Sequence, residues 1–193
     1  MNWAQEKILV TGATGFIGGR VCERLVQADV TSVRALVHSP HRAARIARLP
    51  VELCPGSLLD PAALELATKD CTVIIHCGLA QARGIYTGTE NLLRVASKTR
   101  VRKFVHISTA AVYGVTPPPG SEVETAPVRP TGDDYCDNKA RAERIVLQYA
   151  RRGLPAVILR PSIVYGPYSA WDVRPLSEIR EGRTVLIDGG RGA

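Results

Sequence analysis

Lys7-Ile8-Leu9-Val10 runs directly into Thr11-Gly12-Ala13-Thr14-Gly15-Phe16-Ile17-Gly18, and this junction decides the fold. The apolar run reads as a buried strand, Ile8–Thr11. Gly18–Gln27 reads as a helix with Ile17, Val21, Leu25 and Val26 on one side. Each glycine between them has a mechanical reason. Gly12 permits a tight turn out of the strand, Gly15 lets backbone approach a pyrophosphate, and Gly18 lets the helix pack closely on the sheet. The helix N-terminus then offers free N–H groups and partial positive charge to phosphates. Thr14, Phe16 and Ile17 complete this candidate cofactor-binding turn.

Working outward, strand-like runs alternate with helix-like segments, the pattern of parallel βαβ units. Strands are expected at Ser32–Val37, Val51–Cys54, Thr72–Cys77, Lys103–Ser108, Ala156–Leu159 and, weakly, Thr184–Ile187. Their continuous apolar character fits strands covered on both faces. Ser39-Pro40 and Asp60-Pro61 each read as an N-cap with proline at the first helical position. The helix after Asp60 should turn Leu64, Leu66 and Ala67 inward. Asn91–Lys98 and Asp133–Arg152 are further helices, the latter ended by Gly153. Pro117-Pro118-Pro119-Gly120 reads as a surface loop. Right-handed crossovers then give an α/β fold: a doubly wound parallel sheet, a Rossmann-type NAD(P)-binding domain over residues 1–193.

Tyr135 and Lys139 lie four apart in Tyr135-Cys136-Asp137-Asn138-Lys139, hence on one helix face. Free phenol, with a pKa of about 10, is a poor base at neutral pH. An ammonium nearby, with a positive nicotinamide, would favour phenolate. Such a tyrosine can take a hydroxyl proton or return it. A third group should orient the substrate oxygen. Val105-His106-Ile107-Ser108-Thr109 is a strand ending in hydroxyls at the crevice where open α/β sheets bind ligands. Ser108 and Thr109 should point to opposite sides, so only one should serve.

A carboxylate at the end of the second strand would hydrogen-bond an adenosine ribose and argue for NAD. Val33-Arg34-Ala35-Leu36-Val37-His38-Ser39 has none. His38, Ser39 and Arg42 suit a 2′-phosphate better, so the expected cofactor is NADP or NAD, leaning to NADP.

Composition limits the alternatives. The net charge of +7 comes mostly from dispersed arginines, and aromatics make up only 5% of the chain. This reads as a solvated basic surface without the interleaved aromatics of a nucleic-acid binder. No apolar run approaches the ~20 residues that span a bilayer. Met1–Glu6 leads into the first strand without a signal-peptide pattern. Five cysteines without metal spacing read as reduced thiols, so no metal site and a cytoplasmic protein are expected.

These residues together resemble the extended short-chain dehydrogenase/reductases, the NAD(P)-dependent epimerase/dehydratase group that includes UDP-galactose 4-epimerase and dihydroflavonol reductase. Thr11–Gly18 matches TGxxGxxG, Tyr135 with Lys139 matches YxxxK, and Ser108–Gly114 matches (S/T)(S/T)xxVYG. Arg160-Pro161-Ser162-Ile163-Val164-Tyr165-Gly166-Pro167 matches RPxxVYGP, and Gly88-Thr89-Glu90-Asn91-Leu92-Leu93 matches GTxNLL. The resemblance implies Thr109, Tyr135 and Lys139 as catalytic residues. It implies backbone contacts from Pro161 and Ile163 beside the nicotinamide, and cofactor contacts from Ser57, Leu58, Cys77 and Gly78. Relatives often dimerise through helices that include the Tyr/Lys helix.

The chain departs from the pattern in four places. The stretch from His76 to Gly88 is short, with Ile85 in the place of a common Asn. Gly56-Ser57 replaces Gly-Asp, and Cys77-Gly78-Leu79-Ala80 replaces Leu-Ala-Ala. Relatives also continue past Asp188-Gly189-Gly190-Arg191-Gly192-Ala193 into a lobe that closes over substrate. The expectation is a C-terminal lobe that starts around 167–193 and is truncated. An oxidoreductase or epimerase/dehydratase acting on a small molecule, above all a nucleotide-sugar, is therefore expected. The alternatives are a reductase of a steroid- or flavonoid-like carbonyl and a non-catalytic NAD(P)-sensing module.

Overall fold

The computed structural model describes residues 6–79, 84–114, 119–120, 124–128 and 130–183. The first of its two compact units is Met1–Pro161. Six parallel strands form one sheet: β1 (Ile8–Thr11), β2 (Val33–Val37), β3 (Glu52–Pro55), β4 (Val73–His76), β5 (Lys103–Ile107) and β6 (Ala156–Leu159). Their order is β3-β2-β1-β4-β5-β6. The chain thus reverses direction across the sheet between β1 and β4, where open α/β sheets bind ligands.

Alternation along the strands feeds two cores. Leu9, Leu36, Ile74 and Phe104 face helices α2 (Pro61–Thr68), α3 (Gly84–Ala96) and α4 (Asp134–Arg151), meeting Leu64, Leu92, Leu93, Ile145 and Val146. Ile8, Val10, Val33, Ala35 and Val37 face the other way, toward Cys22 of α1 (Phe16–Gln27) and Ala43 and Ile46. β1 and β2 are buried along their whole length. The expected two-sided burial fails at the edges, because β3 is mostly exposed and β6 alternates.

Several boundaries differ from the sequence expectation. α1 starts at Phe16, two residues early, and α3 at Gly84, seven residues before Asn91. Asp60 caps α2 by accepting from the N–H groups of Ala62 and Ala63. Ser39 makes no such bond, and Pro40–Arg45 forms a 3-10 helix. Leu66 points outward and is 70% exposed, while Leu64 and Ala67 are fully buried. Asp133 caps α4 through the Cys136 amide. The strand Thr184–Ile187 and residues 117 and 118 lie outside the described residues.

The second unit is Ser162–Ala193. It contains α5 (Ala170–Arg180), which sequence reasoning did not anticipate. Ser169 caps α5 at Trp171 and also donates to the Val164 carbonyl.

Candidate active site

The turn after β1 is set by sterics. Gly12 has φ +66°, and a Cβ there would lie 2.7 Å from the Cys77 carbonyl and Gly78 Cα. A Cβ on Gly18 would fall onto the Gly12 carbonyl oxygen, so this glycine allows helix and turn to touch. Gly15 differs, since its missing Cβ has only the Gly12 oxygen nearby, at 3.2 Å. Its backbone is exposed, and it is the N-cap of α1 without a side-chain capping bond. The first turn of α1 holds no acidic residue. A helix start with uncapped amides and no competing carboxylate fits a pyrophosphate. Thr14, Phe16 and Ile17 are half-buried around it.

The other wall of the crevice follows β4. Thr89 donates to the Ile85 carbonyl (2.8 Å), so its oxygen accepts from His76 Nε2 at 3.0 Å. His76 Nδ1 is then the acceptor for the Thr11 hydroxyl at 2.7 Å, and Thr11 Oγ1 accepts the Gly78 amide at 3.2 Å. This directed chain ties β1, β4 and α3 to the Gly78 backbone. Sequence reasoning missed it, since no motif spans Thr11, His76 and Thr89. Leu58 packs where Cβ atoms on Gly78 and Gly88 would otherwise lie, and its carbonyl accepts from Asn91. Ser57 is absorbed in a local turn, its hydroxyl accepting the Leu59 amide. Cys77 is half-buried, and burial pushes its thiol up to about 12.

At the end of β2, His38 and Arg42 are exposed and Ser39 is half-buried. Arg42 lies in the 3-10 helix, whose N-cap is Ser39.

At the ends of β5 and β6, Ser108 is buried while Thr109 is half-buried. Ser108 and Thr109 thus separate as expected. Thr109 caps a 3-10 turn, Ala110–Tyr113, by accepting from Ala111. Its side chain lies beside the Tyr135 phenol. The Pro161 carbonyl accepts the Ala110 amide at 2.8 Å, fixing the strand end beside Thr109. Ile163 belongs to the second unit and is exposed.

Tyr135 stands on the first turn of α4, 38% exposed. Burial raises its phenol above the ordinary value, while the neighbouring Thr109 side chain acts in the opposite direction. Lys139, one turn further, is 3% exposed and donates to the Ile107 carbonyl at 2.6 Å. Burial pulls its ammonium down to about 8, against the opposing pull of Glu143 and Cys77. Behind it lie His76 and His106, in register on β4 and β5 with ring centroids 5.2 Å apart. Burial lowers them to about 3 and about 2, so both are neutral at physiological pH. All five cysteines are free, and no group of metal-ligating side chains occurs among the described residues.

A sheet with this switch point, a phosphate-fitting helix start and a Thr–Tyr–Lys grouping define a dinucleotide-binding domain of the short-chain dehydrogenase/reductase class. The chain belongs to the NAD dependent epimerase/dehydratase family, which it matches over residues 8–181. It is 32% identical over 96% of its length to a 4-hydroxy-2-methyl-3-oxo-4-farnesyl-3,4-dihydroquinoline-1-oxide ketoreductase of Stigmatella aurantiaca, covering 58% of that protein. It is 30% identical to UDP-glucose 4-epimerase of Vibrio cholerae, over 84% of this chain and 53% of the relative. The fold superposes with TM-score 0.80 on dTDP-glucose 4,6-dehydratase of Bacillus anthracis in complex with NAD, at 27% identity, covering 92% and 62% of the two chains. The chain spans between half and three-fifths of the length of curated relatives that it matches.

Proposed function

We propose that this chain is the dinucleotide-binding part of an oxidoreductase or epimerase/dehydratase that acts at a carbinol or carbonyl carbon, with a nucleotide-sugar as substrate. The observation that carries it is the grouping of Thr109, which caps the turn after β5, beside Tyr135 on the first turn of α4, with the buried Lys139 one turn further along that helix. Residues Gly12–Gly18 and the α1 amides would hold the pyrophosphate. Ser57 and Leu58 would flank the adenine, and Cys77, Gly78 and Pro161 the nicotinamide half. Lys139 would hold a ribose hydroxyl. Bound there, the cofactor would supply a hydride donor or acceptor and, when oxidised, a positive charge that favours phenolate.

The residues of the chain supply the proton and the geometry. Thr109 orients the reacting oxygen through its hydroxyl. Tyr135, held protonated by burial, donates to a carbonyl oxygen, and in the reverse direction its phenolate recovers the proton from a carbinol. Lys139 is charged over much of the neutral range and has burial to give up in exchange for a ribose contact.

The absence of a carboxylate after β2, with His38, Ser39 and Arg42 in its place, supports a preference for NADP(H). NADPH and NADH titrations, followed by fluorescence, test both points. A folded sample that binds neither would overturn the reading, and tighter NADH binding would reverse the preference. Arg42→Ala should weaken NADPH selectively, by about 1.5–3 kcal/mol for a lost charged hydrogen bond.

A second reading, an NADPH-dependent reductase of a larger ring carbonyl, is favoured by the ketoreductase relative and by the protonated phenol. Assaying UDP-sugars against cyclic ketones separates the two. Among the described residues no helix is long and apolar enough to cross a membrane. The free thiols support a reducing, cytoplasmic setting. The α3–α4 face would serve a homodimer, which sedimentation tests.

A further inference from the structure

Glu143 lies four residues beyond Lys139, as Lys139 lies four beyond Tyr135, so the three share a face of α4. Glu143 belongs to neither chemistry-bearing motif, yet it is only 2% exposed. A carboxylate buried to that degree is strongly unfavourable unless it is paired and hydrogen-bonded. Arg160, at the end of β6, meets it with a forked contact. Nε donates to Oε1 at 2.9 Å and Nη2 donates to Oε2 at 2.7 Å.

The same guanidinium reaches further. It lies 5.0 Å from the Tyr113 ring centroid, bonds the Tyr113 hydroxyl, and donates to the Glu124 carbonyl at 3.2 Å. Tyr113 ends the 3-10 turn that Thr109 caps. Arg160 therefore joins three pieces: the helix carrying Tyr135 and Lys139, the turn beginning at Thr109, and the last strand. A planar fork of this kind fixes distance and rotation together, which a lysine could not.

We propose that the Glu143–Arg160 pair is a positioning device: it sets the register of the Tyr135–Lys139 helix against Thr109 and so keeps Lys139 Nζ at the Ile107 carbonyl. The proposal rests on the roles assigned above to Tyr135, Lys139 and Thr109. A merely structural ion pair would alter stability and leave Lys139 untouched.

The groups around Lys139 single out Glu143. His76 from β4 and His106 from β5 are neutral, and burial pushes the Cys77 thiol up to about 12. Tyr135 on α4 is held above the ordinary phenol value. Glu143 is the carboxylate in this set, and its charge opposes the burial that brings Lys139 down to about 8.

The test is a pH titration of Lys139 by NMR on protein carrying 13C-labelled lysine, without cofactor, alongside NADH and NADPH binding at pH 7.5. Two variants are needed. Glu143→Gln keeps the shape and removes the charge. The double variant E143M/R160M guards against misfolding, because apolar replacement of a whole buried pair is commonly tolerated. In both, the Lys139 midpoint should fall by roughly one pH unit or more. Dinucleotide affinity should fall roughly tenfold as the charged ribose contact is lost. Folded variants that keep the wild-type Lys139 midpoint would overturn the inference. If wild type binds no dinucleotide while its Lys139 midpoint still responds to Glu143, the functional reading fails and the electrostatic coupling stands.

Discussion

Thr11 and His76, on neighbouring central strands, share a 2.7 Å hydrogen bond at the switch point of the sheet. Both are almost completely buried. The bond fixes a tautomer: because Thr89 passes its proton to Ile85, His76 carries its hydrogen on Nε2 and accepts at Nδ1. The Thr11 oxygen is left to hold the Gly78 amide. Position of the crevice wall thus depends on a hydroxyl that the sequence motif presents only as the first letter of a glycine turn.

Thr11→Val tests this chain. The valine keeps the volume and the strand preference but strands His76 Nδ1 and the Gly78 amide. Leaving buried polar groups unpaired costs about 1–3 kcal/mol, which urea denaturation should register. Dinucleotide binding should weaken as well, since Gly78 backs the Gly12 turn. Unchanged stability and affinity would mean that the chain is incidental.

The two central histidines predict a pH dependence of stability. Both have folded-state values far below the unfolded 6.5, so the unfolded chain binds protons that the folded protein refuses. Their contribution is fully present above about pH 6.5 and is lost as pH falls from there toward about 3. With both titrating, the slope approaches about 2.7 kcal/mol per pH unit. Glu6 and Glu52, whose carboxyls are held below their ordinary value, add to the loss only below about 4.5. Denaturant midpoints at pH 7.5 and 5.5 should differ clearly, and His106→Phe should roughly halve the slope. A flat profile between these pH values would contradict neutral burial.

The glycines of the turn should separate folding from binding. Gly18→Ala places a Cβ on the Gly12 carbonyl, which is backbone and cannot swing away. Such overpacking costs about 1–3 kcal/mol, visible as a lowered Tm. Gly15→Val meets only the Gly12 oxygen at 3.2 Å, so the fold should persist. Its side chain would occupy the approach to the α1 amides and abolish dinucleotide binding. Normal NADPH binding by Gly15→Val would remove this turn from the phosphate site.

Much of this architecture is legible in the sequence because parallel strands buried on both faces are continuous apolar runs. β1 and β4 are of that kind, and so is β2 apart from Arg34. The misreadings have local physical causes. Residues two apart on a helix lie about 200° apart, so an inward Leu64 turns Leu66 to solvent. Arg34 interrupts β2 with a charge, yet it is 7% exposed. Its Nη1 donates to the carbonyls of Ala67 and Lys69 at the end of α2, at 2.8 and 2.9 Å, while Nε faces Glu52. A strand residue capping a distant helix has no signature in local pattern. The Glu143–Arg160 pair could have been glimpsed from the spacing of four beyond Lys139, but its partner is 17 residues away. Cofactor-contact residues taken from motifs, such as Ser57, sit where a turn also employs them.

In the proposed reaction the chemistry turns on Tyr135. Its phenol lies beside the Thr109 side chain, and burial keeps it protonated. Lys139 donates one N–H to the Ile107 carbonyl at 2.6 Å and is assigned to the ribose, leaving Tyr135 as the group of the motif that passes a proton to a substrate oxygen in the proposed reaction. Tyr135→Phe retains the ring and removes only the hydroxyl, so dinucleotide affinity should change little. Turnover of the active protein should fall by about 10²–10⁴, the contribution of a positioned acid/base. Lys139→Met should damage both, because its ammonium is assigned to the ribose as well as to the phenol. Thr109→Ala should resemble Tyr135→Phe in direction, since it removes the oxygen-orienting hydroxyl. Stopped-flow measurement of nicotinamide absorbance separates the binding and chemical steps. Full turnover in Tyr135→Phe would exclude the phenol from the reaction and favour a module that senses the dinucleotide without transforming a substrate.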